Sequence, residues 1–186
     1  MGGWSAPSRG DCASAVVGLD PSQANTSGSA LLGEGIGQTF ATSDTLIGSL
    51  TVWRVEQFST IGMHLYIMGT DSTGKPDRSR MIQNGPTLVV YGDGTYPAEI
   101  KWTFDPPVVL PSPGEYAFFL FQDPCLEFFD ILATSMGALY PDGNAWYTGQ
   151  TSQCIMNSNL HNIPDADYIF QVEFCHEVAT RSRGTS

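Results

Sequence analysis

Asp165-Ala-Asp-Tyr-Ile-Phe-Gln-Val-Glu-Phe-Cys175 sets Tyr168, Phe170, Val172 and Phe174 in alternation with Ile169, Gln171, Glu173 and Cys175. A period of two marks a β-strand whose faces meet different surroundings, so this run predicts one face on the core and an outer face that carries Cys175. The same grammar recurs upstream. Ala98–Phe104 sends Ile100, Trp102 and Phe104 one way and Glu99, Lys101 and Thr103 the other, and Met63, Leu65 and Ile67 alternate with His64, Tyr66 and Met68. Thr45–Val55 and Glu115–Phe121 are apolar on both faces, which predicts strands central in their sheets. Gly, Pro, Asn and Asp clusters separate these runs, and no segment has a helical period. The reading is an all-β chain, a two-sheet antiparallel β-sandwich of jelly-roll type with eight to ten strands.

Three parts are expected: an extended N-terminal segment over residues 1–36, with at most one edge strand tied down at Cys12; a sandwich over 37–177; and a frayed tail over 178–186. Gly69–Asp77 reads as a tight reversal, and Asp105-Pro-Pro107 as a break in its ladder, because proline supplies no donor. Asp130–Leu139 reads equally as strand or loop, and Thr148–Pro164 as a long connection.

The chain carries 19 acidic against 8 basic residues, a formal charge of −11, with no Lys/Arg cluster except the tail Arg181-Ser-Arg183. Such a surface repels a phosphate backbone, so nucleic acid is not an expected partner. Its ordinary use is solubility. Met1–Pro7 lacks the charged start and apolar run of a secretory leader, and no stretch is long and apolar enough for a membrane helix, so membrane insertion is not expected. Oligomeric state is not legible. Cys12, Cys125, Cys154 and Cys175 are an even set without C-x-x-C spacing, which favours disulfides over zinc. The preferred pairing is Cys12 with Cys175, on neighbouring terminal strands, and Cys125 with Cys154, flanking one loop-rich stretch. An oxidising location, extracellular or at the cell surface, follows. Asn25-Thr-Ser27 is a glycosylation acceptor only in a eukaryotic secretory pathway.

Gly37-Gln-Thr-Phe40, Ser49–Val52, Met63–Ile67 followed by Asp71-Ser-Thr-Gly-Lys-Pro76, Trp102–Phe104 and Val108-Val-Leu-Pro-Ser-Pro-Gly-Glu-Tyr116 together resemble the jelly-roll modules of secreted bacterial proteins. Those modules run through a "QTF" start, a "dGxP" loop, a "pGxY" turn, an aromatic-Pro-Gly segment and a closing "DxxF" strand, here matched last by Tyr140–Gly143 and Asp167–Phe170. The resemblance spans Gly37 to Phe174 and implies a non-catalytic accessory module, carbohydrate-binding-like or surface-attached. It transfers no ligand residue to a position in this chain.

No motif names a reaction. There is no G-x-S-x-G, and His64, His161 and His176 lie in unlike settings without metal-ligand spacing. Glu99, Glu115, Glu127 and Glu173 lie in or beside strands, where carboxylates ordinarily face solvent. The chain is therefore expected not to be an enzyme and to require no cofactor. Calcium is the cation that Asp71, Thr73 and Asp77, or Asp165 and Asp167, could hold, although an Asp-rich turn accounts for the same residues. For sugar, Tyr140, Asp142, Asn144, Trp146 and Tyr147 combine stacking rings with hydrogen-bonding groups; the competing reading makes Tyr140 and Trp146 core plugs. Trp53 and Trp102 read as core, and the face around His64 and Tyr66 is a second surface to consider. The expected function is an extracellular binding module with carbohydrate as favoured ligand class. The alternative is a structural or protein-interaction module of a surface, adhesin or virion assembly.

Overall fold

The computed structural model describes residues 12–55, 59–135 and 140–175. The first eleven residues, His176 and the tail expected over 178–186 lie outside them, as does the end of the ambiguous stretch at Leu139. Among the described residues the chain order is β1 (Cys12–Gly18), β2 (Thr26–Ala30), β3 (Gly35–Thr42), β4 (Leu46–Arg54), β5 (Ile61–Thr70), β6 (Pro76–Val90), β7 (Ala98–Val109), β8 (Gly114–Asp123), β9 (Phe129–Ser135), β10 (Ala145–Thr148), β11 (Leu160–Ile163), β12 (Ala166–Tyr168) and β13 (Phe170–Cys175). A single 3₁₀ turn, Pro21–Gln23, sits between β1 and β2 under an Asp20 cap.

Two antiparallel sheets result, and the expected all-β sandwich is what the chain forms. The first runs β1-β13-β4-β9-β12, with β2 on β9 and β7 on β4; the second runs β11-β10-β3-β8-β5-β6. Between them Phe170 is a hub, its ring 5.4 Å from Phe118, 6.2 Å from Phe40 and 5.3 Å edge-on from Tyr140. Trp53 and Trp102 are buried as expected. β4 and β8, apolar on both faces, are interior strands of their respective sheets.

Five local readings differ from the sequence expectation. Ile169 and Cys175, placed on the outer face by alternation, are both buried. The strand breaks at Ile169, whose N–H donates to the Leu132 carbonyl, so the alternation restarts at Phe170, and β1 pairs along β13 with Cys12 opposite Cys175. Asp105–Pro107 does not end β7. Val108 and Val109 still pair with Ile47 and Leu46, and the extra residues are taken up in a bulge. Proline is tolerated there because β7 pairs with β4 alone and its other side needs no donor. β6 starts at Pro76, inside the stretch read as a loop, and Phe129–Ser135 resolves the ambiguous region as β9. The lead-in segment contributes two strands, β1 and β2, to the first sheet.

The fifth difference is the connection Thr148–Pro164, which includes β11 and otherwise works as a strap over the outer face of the second sheet. Ala117, Phe119 and Phe121 project from β8 away from the main core and join Met68 and Trp146 beneath Cys154, Met156 and Leu160. Several contacts fasten the strap, two of them at its middle. One is the Cys125–Cys154 disulfide, as expected from their flanking positions. The other is Thr151, whose N–H donates to the Gly33 carbonyl at 2.8 Å; Gly33 has φ of +85°, and a Cβ there would lie 2.3 Å from the Thr151 oxygen, so only glycine permits the approach. Cys175 is disulfide-bonded as well.

One polar group crosses the core. Asp167 of β12 is fully buried and accepts from Gln38 Nε2 of β3 at 2.8 Å and from the Tyr140 N–H at 3.1 Å, while Gln38 Oε1 accepts from the Tyr168 N–H at 3.0 Å. The link ties one sheet to the other and satisfies both side chains.

Candidate functional site

Tyr140, Asp142, Asn144, Trp146 and Tyr147 occupy separate environments. Tyr140 belongs to the main core and Trp146 to the cluster under the strap, at 7% and 8% exposure, so neither ring offers an open face to a ligand. The Trp146 indole N–H is buried with no acceptor among the described residues. Half-buried Tyr147 stacks on His161 across the β10–β11 pair, ring centres 4.8 Å apart. Asp142 and Asn144 are exposed, but the Asn144 backbone is engaged in bonds with Thr39. Strand alternation explains the scatter: neighbours along β10 must point to opposite sides of the sheet.

Burial pushes the Tyr140 hydroxyl up to about 12 and raises Tyr168 too. A folded value above the ordinary tyrosine value of about 10 leaves stability intact below pH 10 and removes it as pH climbs toward the folded value. Phenolate absorbance followed beside circular dichroism is expected to show these two rings ionising only as the fold opens. Ionisation of all seven tyrosines with the fold intact would contradict their burial.

Asp71, Thr73 and Asp77 are turn builders. Asp71 Oδ1 accepts from the Thr73 N–H and hydroxyl and from the Lys75 N–H, which together hold its carboxyl below the ordinary value; Asp77 Oδ1 accepts from the Ser79 N–H and hydroxyl. Asp165 is exposed in the β11–β12 turn, and Asp167 is the buried link already described. No group of three or more His, Cys, Asp or Glu side chains that could hold a metal ion occurs among the described residues. Glu173 is bonded to Lys101 at 2.8 Å and to the Ser49 hydroxyl at 2.6 Å, and both contacts depress its pKa. Burial raises that of Glu115, opposed by a hydrogen bond with Thr39. A cleft of about 460 Å³ opens between β6 and β7, lined by Ile82, Gln83, Phe104 and the bulge, with Asp105 as the single ionisable side chain in its wall.

The polar–aromatic constellation that the fold does assemble lies on the outer face of β5, β6 and β8, beside the strap. Register builds it: His64 is paired with Thr87, Tyr66 with Asn84, and Gly62 with Asp123. His64 Nδ1 is 2.7 Å from the Thr87 hydroxyl and Nε2 is 2.7 Å from Asn84 Oδ1, while Thr87 donates to Asp123 Oδ2 at 3.1 Å. The imidazole rests against Tyr66 at 4.6 Å, and Tyr66 meets Phe121 edge-on at 5.6 Å. Burial raises the Tyr66 pKa, opposed by a hydrogen bond with the Met156 backbone and by nearby Arg78. Asn84 and Asp123 are exposed; His64 and Tyr66 are half-buried. The sequence shows His64 and Tyr66 as a strand face but hides Asn84, Thr87 and Asp123, because a pairing register cannot be read from either strand by itself.

No family model matches the sequence, and no curated protein matches it. Among solved structures the fold is similar to the crystal structure of the cysteine protease and lectin-like domains of Cwp84, a surface layer associated protein of Clostridium difficile, with a TM-score of 0.54 at 10% identity. The match covers 80% of this chain and 36% of that one. At that identity the likeness is one of fold.

Proposed function

We propose that this chain is a non-catalytic binding module working outside the cell or at its surface, that carbohydrate is its ligand class, and that it binds through the His64–Tyr66 patch. The observation that carries the reading is the ring pair of His64 and Tyr66, fixed on β5 and bordered by Asn84 and Thr87 of β6 and Asp123 of β8. A pyranose has apolar C–H faces and a rim of hydroxyls, and such a site answers the first with rings and the second with an amide, a hydroxyl and a carboxylate. Strands hold these groups before the ligand arrives, so little ordering entropy is lost on binding. The disulfide-fastened strap suits an oxidising compartment, and the similar fold in a structure that contains a lectin-like domain lends the ligand class support. A single carboxylate in the β6–β7 cleft favours binding over acid–base chemistry.

The reading requires no cofactor, so chelator leaves binding unchanged. Glycan-array screening of the parent beside Asn84→Ala and Asp123→Ala tests it. Both variants are expected to stay folded and to bind about tenfold more weakly, the effect of one hydrogen-bonding partner. Silence of the parent across the array, or full binding by both variants, would remove the proposal.

A further inference from the structure

Among the described residues, exposed large apolar side chains gather at one end of the molecule. In the second sheet β3 and β5 begin where β8 and β6 end, since Gly35 pairs with Phe121, Gly62 with Asp123 and Ile61 with Val90. The segments at that end carry Leu31 and Leu32, each 53% exposed, Tyr91 and Leu126, each 72%, and Phe128 at 57%. Ile155, 41% exposed, joins them from the strap, whose Thr151 bonds to Gly33 and to the Ile155 N–H. The projecting loop is built, not frayed: buried Gln122 turns its Oε1 on the backbone N–H groups of Leu126 and Glu127, and Cys125 is locked to Cys154. A fixed loop that shows Leu126 and Phe128 to water carries a free-energy cost that folding does not require.

The exposed charges of the described segments at this end have one sign. Residues 31–34, 91–97, 123–128 and 149–159 contain Glu34, Asp93, Asp123 and Glu127 and no lysine or arginine. Arg54, at the end of β4, is buried at 1% exposure, near Glu127 and Asp130. An apolar centre rimmed by carboxylates is complementary to a surface of aliphatic side chains flanked by lysine or arginine. A second copy of the chain would bring the same carboxylates face to face, and an anionic bilayer would meet them likewise.

We infer that this loop end is a docking surface for a protein partner whose contact segment is basic and apolar. Its anchors lie outside the sugar patch, with which it shares Asp123 at the rim, and the inference stands if that reading fails. Leu126 and Phe128 are the anchors, and the carboxylates set orientation and salt sensitivity.

The test uses three synthetic peptides of equal length, alternating Leu/Lys, Leu/Glu and Ser/Lys, titrated into the isotopically labelled intact protein by NMR. The Leu/Lys peptide is expected to shift resonances of the loop end and to bind at least about tenfold more tightly than either control. Leu126→Ser with Phe128→Ser, exposed sites whose change leaves the fold in place, removes that preference, and Glu127→Lys weakens binding and flattens its salt dependence. Equal binding of the three peptides, or unchanged binding by the double variant, overturns the inference. So does concentration-dependent self-association that Leu126→Ser abolishes, which would assign the surface to a second copy. Phosphatidylcholine vesicle binding that Phe128→Ser abolishes, without peptide preference, would assign it to lipid.

Discussion

Gln38→Ala is expected to cost about 3–5 kcal/mol of folding stability, because one truncation strands two buried groups. Asp167 Oδ1 loses the Nε2 donor and the Tyr168 N–H loses its acceptor, in a place water does not reach. Asp167 keeps the Tyr140 N–H, which is insufficient for a buried carboxylate. Urea denaturation of parent and variant measures the loss, and a shift below about 1 kcal/mol would show the link between the sheets to be dispensable. Replacing both partners with apolar residues of similar size is expected to cost less than Gln38→Ala alone, since no polar group is then left unpaired. The double variant therefore separates a desolvation penalty from simple loss of volume.

The second large effect belongs to the strap. Replacing both Cys125 and Cys154 by serine opens a loop of sequence separation 29 and is expected to remove about 3–4 kcal/mol, by the entropy of the unlinked unfolded chain. A local consequence accompanies the global one. With Thr151–Gly33 as the remaining described fastening of the disulfide pair's segment to the β2–β3 turn, solvent gains access to Trp146, Phe119 and Phe121, and tryptophan emission shifts to the red. Trp146→Phe in the same background assigns the shift, because a shift that survives the change belongs to another of the four tryptophans. An unshifted spectrum would mean that the strap stays seated without its bridge.

Sheet architecture was legible for a plain reason. Tyr168, Phe170, Val172 and Phe174, like Ile100, Trp102 and Phe104, answer to faces set by the local backbone, and a period of two survives whatever partner strand arrives. Ile169 and Cys175 escaped it because neither sits in the regular run of the strand: one lies at the break between β12 and β13, and the other at the strand end, paired with β1. Trp146 shows the same limit at the candidate site. Its position beside Tyr140 and Tyr147 reads as an aromatic cluster, yet the residues that bury it are Met156 and Leu160 on the strap. Asn84, Thr87 and Asp123 come from two strands and become neighbours of His64 by register alone. Asp167 looked like a turn acid, and its role becomes visible only once Gln38, 129 residues earlier, is set against it.

The bulge at Asp105–Pro107 has a bearing on how copies of this chain could join. β7 and β6 are the outermost strands on their side of the two sheets, the place where a foreign strand would add. Pro106 and Pro107 remove consecutive donors from β7, and β6 carries Pro76 and Pro86 with exposed Arg78 and Arg80 between them. Backbone templating is thereby interrupted on both outer strands, which disfavours growth into ribbons or fibrils on that flank. Contacts favoured there run through side chains, and those can be reversed, regulated and made specific in a way that a continued sheet cannot.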